Sequence, residues 1–408
     1  MQKFLKYIIM LLIVLSSNTV YSVMPGVKNK LLIVVILLLI TYLYLQISSK
    51  NDKVKKSLLL PIIVMGLILP TYILVHSSMW NMSTLVSFVA IFIIESLFLV
   101  IFSLSADRDW LKILVNLISS YAFLSFIFYI LGTLLNLISA TGTVTLLWGA
   151  SRNITSYFNL YFETQNIYFL GYNMPRNSGF FVEAPVFGLV LALAVSVEVL
   201  ILNKAFSKRI ALLLITLATT FSLSGFLIVF VTYVLFFFKS TSYKENGSLI
   251  RILTIISFIF VAIITLIFII IPAFNEKLNT TSGSLRLDDF TAGFKSWRLH
   301  PLVGNGLNNI EVISRFMESP QRFTYVNGQP FYNAGLANSI TPIISDGGIL
   351  LSLLYFLPLV LGLKEKKFRS FTIVLIMSLF IAIYQYTPIL IMFLALIQSR
   401  QVGRINVE

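Results

Sequence analysis

The stretch PRNSGFFVEAPVFG, residues 175–188, places two opposite charges just before a long apolar run. Arg176 carries a planar guanidinium that stays charged and binds phosphate or carboxylate through paired hydrogen bonds. Glu183 precedes Pro185, and proline is favoured at the start of a helix, so we expect the carboxylate at a helix mouth. There it can complement the helix dipole, hold Arg176 in place or accept a proton as a general base.

A second group of polar residues lies in LRLDDFTAGFKSWRLHPLVGNGLNN, residues 285–309. Apolar residues at helical spacing predict an amphipathic helix near 286–299 that suits a membrane interface. These apolar residues are Leu287, Phe290, Phe294 and Trp297. The basic residues cannot join that face and point to water or a ligand: Arg286, Lys295 and Arg298. His300 follows, and a histidine can serve as a general base near neutral pH. A helix that only caps a bundle explains the same pattern.

The composition restricts the elements that can position these residues. Of 408 residues, 58% are hydrophobic and 11% are charged, whereas soluble domains carry about 25% charged residues. Apolar runs long enough to span a bilayer recur along the chain, which predicts an all-α, polytopic membrane protein. A transmembrane β-barrel would show short alternating segments instead.

Charge and rare residues exclude several function classes. The net charge of +14 is explained by the positive-inside rule of membrane proteins rather than by a nucleic-acid partner. The absence of cysteine excludes thiol catalysis and zinc–cysteine sites. The only histidines are His76 and His300, so a multi-histidine metal site is excluded and we expect neither a metal nor a cofactor.

Apolar runs predict about twelve transmembrane helices. They lie near 4–23, 31–47, 58–75, 84–103, 113–137, 184–202, 210–221, 224–238, 250–272, 338–362, 371–383 and 386–398. Polar residues in TFSLSG (220–225) and QYTP (385–388) favour turns within two of the longer runs. The first run resembles a signal peptide, with Lys3 and Lys6 before it and small residues near Ser22; an uncleaved first helix is the favoured interpretation.

Topology places two long segments outside the membrane. With both termini cytoplasmic, the positive-inside rule accounts for most basic residues. The loops 138–183 and 273–337 are too long to be simple connectors. We expect both loops to belong to a single membrane domain of residues 1–408. Their basic residues indicate an external anion: Arg152, Arg176, Lys277, Arg286, Lys295, Arg298, Arg315 and Arg322.

Two acidic residues fall inside predicted spans. Asp346 precedes Gly347 and Gly348 and either lines a cavity or marks a helix break. Glu95 lies in the middle of the fourth span, where an unpaired charge is costly. Both a buried packing group and a lipid-channel residue fit Glu95.

Four stretches together resemble the O-antigen polymerase and ligase superfamily of bacterial envelope polysaccharide assembly. RNSGFFVEAPVFGLVLAL resembles its Arg-x-x-Gly-x-Phe-x-(Glu/Asn)-Pro motif, and LATTFSLSGFLIVFV resembles its Thr-x-Ser-x-(Ser)-Gly helix pair. RLDDFTAGFKSWRLHPLVGNGL resembles the Arg-led helix that runs into His-Pro-Leu-x-Gly-x-Gly. NSITPIISDGGILLSLL, which begins at Asn338 and Ser339, resembles the Asn-Ser/Asn…Gly-x-x-Gly stretch after the large loop. Order and spacing match over about residues 170–360.

The resemblance implies a glycosyltransferase-C-like membrane fold and a metal-independent enzyme of the bacterial cytoplasmic membrane. Such proteins join glycans carried on polyprenyl diphosphate at the outer face, beside a flippase and a chain-length regulator. Carried onto this sequence, the resemblance implies that the diphosphate is bound by Arg176, Arg286 and Arg298. Lys295 is expected to support them. Glu183 and then His300 are the candidate bases. Substrate contacts are expected at Asn338, Ser339 and Asp346.

This sequence departs from the family pattern at two positions, and one of them helps to distinguish a polymerase from a ligase. Leu223 stands where the family often has arginine, and Ala337 stands where ligases commonly have histidine. The second departure favours a polymerase over a ligase that transfers the finished chain to another acceptor. A third possibility is a lipid-linked oligosaccharide flippase, although transporters typically carry paired repeats and midplane charges. The sequence has no detectable repeat.

Overall fold

The computed structural model describes residues 2–50, 59–77, 81–104, 107–149, 151–169, 172–241, 281–326 and 329–402. Within these residues the chain is mostly helical. Five helices are long and apolar enough to cross a membrane: Val27–Ser48, Met82–Leu104, Arg108–Leu134, Ala184–Ile201 and Ile340–Lys364. The prediction of a helical membrane protein is therefore confirmed at this level. The span predicted at 250–272 lies outside the described residues.

The helices are numbered in chain order. The first nine are α1 Gln2–Leu15, α2 Val20–Val23, α3 Val27–Lys50, α4 Leu59–Val75, α5 Met82–Leu104, α6 Asp107–Phe128, α7 Ala184–Ser196, α8 Lys208–Thr219 and α9 Leu223–Thr241. After the undescribed segment come α10 Thr281–Trp297, α11 Ile310–Ser314, α12 Ile340–Lys364, α13 Arg369–Ile381 and α14 Pro388–Val402. π-Helical turns at Tyr129–Leu134 and Val197–Ile201 extend α6 and α7.

Two apolar helices form the centre of the bundle. α7 is buried along its whole length and packs on α8 and α9. α14 is buried from Ile389 to Ile397 and packs on α5 and α12. A helix that is apolar on every side finds a stable place only where protein or lipid surrounds it completely.

The run predicted at 4–23 is interrupted rather than continuous. The hydroxyls of Ser16 and Ser17 donate to the carbonyls of Leu12 and Ile13, 2.7 Å in each case, and α1 ends. Asn18 then takes a left-handed backbone conformation with φ of 52°. Side chains that hydrogen-bond nearby backbone compete with helix propagation, which explains the break.

The long first loop contains strands that the sequence interpretation did not predict. A three-stranded antiparallel sheet has the order β1-β2-β3, with strands Gly142–Leu147, Ser151–Tyr157 and Tyr161–Glu163. β4 Asn166–Phe169 and β5 Tyr172–Pro175 form a separate hairpin that leads into Arg176. The second loop has one hairpin, β6 Phe323–Val326 with β7 Gln329–Tyr332.

A buried ion-pair triad holds the second loop together. Arg322 is completely buried, and its Nε lies 2.5 Å from Oδ2 of Asp288 while its Nη2 lies 2.6 Å from Oδ1 of Asp289. Its Nη1 also donates to the Asn333 carbonyl at 3.0 Å. Asp289 in turn accepts the backbone N–H of Ala337 at 2.7 Å. The triad therefore fixes α10 against the hairpin and against the start of α12.

The helix α12 is broken at Gly348, whose φ of 56° and ψ of −158° are not helical. The loop 301–306 fills the break through backbone hydrogen bonds in both directions. The N–H groups of Asn305 and Gly306 donate to the carbonyls of Ser345 and Asp346, and those of Ile349 and Leu350 donate to Pro301 and Leu302. The loop supplies partners for backbone groups that the interrupted helix leaves free.

We predict that Gly304→Ala destabilises the protein more than Gly149→Ala. Both glycines have positive φ, 73° and 67°, so each substitution carries a conformational cost of about 1–2 kcal/mol. A Cβ at Gly304 would also lie 2.1 Å from the carbonyl oxygen of Asp346, whereas Gly149 has open space. Overpacking adds about 1–3 kcal/mol. Thermal unfolding of the purified variants in detergent measures the difference; equal melting temperatures would contradict the tight fit of the loop in the break.

Candidate active site

Arg176 is anchored to the turn between α8 and α9. Its Nε donates to the Thr220 carbonyl at 2.8 Å and its Nη2 to the Phe221 carbonyl at 3.1 Å. Carbonyls at the end of a helix attract a cation. Burial lowers the pKa of Arg176, and the nearby Glu183 carboxylate raises it. Nη1 makes no hydrogen bond to the described residues, so one edge of the guanidinium remains available to a ligand.

The residues after Arg176 hold it in this position. The backbone N–H of Asn177 donates to the Thr219 carbonyl at 3.0 Å, and its side-chain amide donates to the Thr219 hydroxyl at 2.9 Å. The Ser178 hydroxyl donates to the Phe162 carbonyl at 2.9 Å. The Arg-Asn-Ser sequence therefore ties the first loop to the end of α8, and Arg176 gains a fixed orientation.

Glu183 is the residue before α7, with an extended backbone, and its side chain does not cap the helix. The Trp148 side chain instead lies close enough to the carboxylate to lower its pKa. Burial raises the pKa of Glu183 above its ordinary value, against the opposing effects of Arg152, Trp148 and Arg176. No ion pair within 4.0 Å joins Glu183 to Arg176. The carboxylate therefore influences Arg176 through space, and a direct clamp between the two is absent.

Arg152 and Trp148 complete the cluster. The sequence analysis named Arg152 only among the outer basic residues that indicate an anion, and it did not identify Trp148. Both lie on the β1–β2 hairpin, where Arg152 is opposite Leu146 and Trp148 follows β1. The hairpin brings them to Glu183 at the mouth of α7. Nε and Nη2 of Arg152 are buried and have no hydrogen-bond partner in the described part of the chain. The sequence signal was the short segment LLWGASRN, in which Gly149 turns the chain between two strands.

The cluster of Arg152, Arg176, Glu183 and Trp148 has an excess of positive charge. Two guanidinium groups face one carboxylate, so the formal charge is +1 when all three are ionised. Buried polar groups almost always have partners, and a charged donor without one is costly. An anion that accepts hydrogen bonds would satisfy the Arg152 nitrogens. We call these four residues the mouth cluster.

Three residues predicted to bind substrate lie in a second group at the end of α13. Nη1 of Arg286 donates to the Ile381 carbonyl at 3.0 Å, and the Ser339 hydroxyl donates to the Ala382 carbonyl at 2.7 Å. Asn338 accepts the N–H of Thr341 with its Oδ1, while its buried Nδ2 has no partner among the described residues. Arg286 thus fixes a helix end in the same manner as Arg176.

Asp346 lies at the break in α12. Its Oδ2 accepts the backbone N–H of Asn308 at 3.1 Å and the Tyr386 hydroxyl at 3.2 Å. Its buried Oδ1 has no partner within the described ranges. Asp346 therefore lies two residues before the helix break at Gly348, as one of the two sequence interpretations expects. That it lines a cavity stays a prediction.

The remaining predicted residues are exposed on the second loop. Lys295 forms an ion pair with Glu318, and Arg298 and His300 are exposed. The hydrogen bonds of Arg176 go to the α8–α9 turn, and the groups that influence the pKa of Glu183 belong to the first loop rather than to α10. The structure therefore groups Arg176 with Glu183, and Arg286 with Ser339, but shows no direct contact between the two groups.

The two groups are joined through Asn18. Its backbone carbonyl accepts the N–H of Val182 at 3.2 Å, and its side-chain amide donates to the Ile383 carbonyl at 2.7 Å. The backbone N–H of Val20 donates to the Phe180 carbonyl in the same pair of segments. The segment after α1 thus lies between the Arg176–Glu183 stretch and the α13–α14 turn.

No protein-family model matches the chain, and no curated protein matches its sequence. The chemistry of the site is therefore argued from its own residues. The mouth cluster combines the anchored Arg176 and the unpartnered nitrogens of Arg152 with a partly buried carboxylate whose pKa is raised. Such a group of residues can bind an anion and accept a proton. Within the described residues, no group of three or more histidine, aspartate or glutamate side chains could hold a metal ion.

We predict that inorganic pyrophosphate stabilises the purified protein through Arg152. A ligand bound only by the folded state adds about 2.7 kcal/mol when present at a hundred times its Kd. Arg152→Gln should lose the pyrophosphate-dependent rise in melting temperature, because the buried donors are gone. Arg315→Gln is the matched control, since Arg315 is exposed and pairs with Glu311 on the surface. If pyrophosphate raised the melting temperature of Arg152→Gln as much as that of the wild-type protein, there would be no anion site at the mouth cluster.

Proposed function

We propose that the protein is a polymerase of a bacterial capsular, exo- or O-antigen polysaccharide. It would transfer a growing glycan from polyprenyl diphosphate to a sugar hydroxyl of an incoming lipid-linked repeat unit. In this proposal the chain has about twelve spans and a glycosyltransferase-C-like fold in the bacterial cytoplasmic membrane. Both termini are cytoplasmic, and the loops 138–183 and 273–337 lie on the outer face.

The observation that carries the proposal is that Nε and Nη2 of Arg152 are buried without a partner among the described residues, at a carboxylate that Arg176 also influences. A lipid diphosphate brings several charged oxygens to the membrane surface and suits bidentate arginine donors. The two arginines stabilise the negative charge that grows on the diphosphate as it leaves.

Glu183 is the proposed general base. The acceptor hydroxyl oxygen forms a bond to the anomeric carbon, and the bond between that carbon and the diphosphate oxygen breaks. The diphosphate leaves with the bonding electron pair, and the hydroxyl proton passes to the Glu183 carboxylate. Trp148 lies near this carboxylate and lowers its pKa. His300, exposed beyond the end of α10, is the second candidate.

The polymerase is preferred to a ligase because Ala337 lacks a side chain that could act as a base. Its backbone N–H is already held by Asp289. The ligase alternative keeps the same mouth cluster and differs only in the acceptor.

One observation favours a function of a different class. Glu95 and Asp346 are buried within membrane-spanning helices, and both oxygens of Glu95 have no hydrogen-bond partner among the described residues. Ionisable groups at such depth often serve transport. A lipid-linked oligosaccharide flippase is therefore the second candidate, and the assay must distinguish movement of the substrate from its polymerisation.

We predict that purified protein in nanodiscs lengthens defined lipid-diphosphate repeat units into a ladder of products. Arg176→Ala should lower the rate about 100-fold, the loss expected when a donor to developing charge is removed. Arg315→Ala is the control and should keep the ladder. Intact repeat units with no ladder from wild-type protein would reject the polymerase. Movement of those units across a vesicle membrane would then identify the flippase.

The pH profile of the same assay tests Glu183. A base acts when deprotonated, and burial raises the pKa of Glu183, so activity should fall with decreasing pH at a higher pH than an ordinary glutamate would allow. Arg152→Gln should move this acidic limb further upward, because Arg152 lowers the pKa of Glu183. Glu183→Gln should remove the activity at every pH. A Glu183→Gln variant with normal turnover and an unchanged limb would exclude Glu183 as the base.

A further inference from the structure

An apolar groove of about 240 Å³ opens along α12 beside its break. Trp297 of α10 forms one side, and α12 contributes Ile344, Gly348, Ile349, Leu353 and Phe356. The remaining lining residue, Ser352, turns its hydroxyl back to the Ile343 carbonyl at 3.4 Å. The groove therefore presents almost no polar group to an occupant.

The groove lies on a surface that faces lipid. Ile349 and Leu353 are 46% and 48% exposed, and the same face of α12 continues with Leu357 and Val360 at 45% and 50%. α12 is one of the helices long and apolar enough to cross a membrane. Exposed apolar side chains on such a helix contact hydrocarbon. The break at Gly348 gives this part of the surface a concave shape.

One end of the groove lies against α10, which contributes Trp297 to the lining. Leu287 and Phe294 of that helix are 69% and 53% exposed, as expected for a helix at the membrane interface. The indole N–H of Trp297 donates to the Pro301 carbonyl at 3.1 Å, which fixes the ring over the groove. The next residue, Arg298, is an exposed cation. The apolar groove is thus lined by Trp297, and the cation Arg298 follows it directly in the chain. This combination suits a hydrocarbon chain attached to an anionic head.

The dimensions favour a single chain. The lining residues of α12 after the break extend from 349 to 356, about 10 Å along a helix at 1.5 Å per residue. The volume is below the range of about 300–1,000 Å³ found for pockets that enclose a drug-sized ligand. A narrow, elongated groove accommodates part of one linear chain and leaves the rest in the bilayer.

We propose that this groove binds the polyprenyl chain of the incoming acceptor repeat unit, whose diphosphate end lies near Arg298, while the diphosphate that leaves the donor is held at the mouth cluster. The inference rests on the proposed function and adds the place where the lipid part of the substrate is held. Binding in the groove would orient the diphosphate at the outer surface and restrict its diffusion before transfer. Long-chain substrates would then bind more tightly than substrates with the same glycan and a short chain.

The test fills the groove without touching the mouth cluster. Leu353→Trp places a larger side chain in the groove, and Leu357→Trp is the matched control on the same exposed face outside it. For a full-length polyprenyl diphosphate substrate, Leu353→Trp should raise KM about tenfold, which corresponds to ~1.4 kcal/mol, with kcat unchanged. KM for a two-isoprene substrate should not change in either variant. Equal KM values for the two tryptophan variants on the long substrate would overturn the proposal.

Photolabelling separates this inference from the proposed function. A diazirine-bearing polyprenyl diphosphate should label α12 peptides in wild-type protein and lose that labelling in Leu353→Trp. A diazirine-bearing phosphatidylglycerol that labels the same peptides equally would show an ordinary lipid contact and overturn the proposal. If wild-type protein forms no ladder but polyprenyl diphosphate still labels the groove, the polymerase fails and the binding site stands.

Discussion

The structure depends on how an interrupted helix in a membrane protein satisfies its backbone. At Gly348 the N–H and C=O groups of α12 lose their helical partners, and lipid offers none. The loop 301–306 supplies them, with donors to Ser345 and Asp346 and acceptors for Ile349 and Leu350. Irregular backbone is tolerated at such depth only where protein covers it. The loop, the break, the carboxylate of Asp346 and the apolar groove are therefore parts of one arrangement.

A second interaction fixes the position of α10, and with it the loop 301–306, relative to α12. The loop can enter the break only if α10 lies correctly on α12, and Arg322 with Asp288 and Asp289 determines that position. A buried charge that loses its partner is strongly destabilising, so the triad tolerates few alternative packings. Arg322 therefore differs from the other basic residues of the loop: its charge is used within the protein and is not available to a substrate.

Local patterns in the sequence predicted the elements better than the site. The helix near 286–299 is α10, and TFSLSG does separate α8 from α9, because helical spacing and turn residues act within a few positions. Arg176 and Glu183 were recognisable because the predicted topology places them in an outer loop, where the positive-inside rule does not explain an arginine. The partnership of Glu183 with Trp148 and Arg152 depends on the register of a hairpin more than thirty residues away in sequence, and short loop strands leave weak patterns. Arg286 illustrates the same limit, since its carbonyl partner on α13 is remote in sequence.

Asn18 has a practical consequence for work on this protein. Residues 16–22 have the composition of a leader-peptide cleavage region, so replacement of the first 22 residues by a foreign secretion signal would be a natural way to improve expression. The exchange would remove α1, whose Ile9, Met10 and Ile13 are fully buried in the bundle. It would also delete Asn18, whose backbone carbonyl accepts the N–H of Val182 and whose side-chain amide donates to the Ile383 carbonyl. A protein prepared in this way would lack both the packing of α1 and the residue that joins the two functional groups.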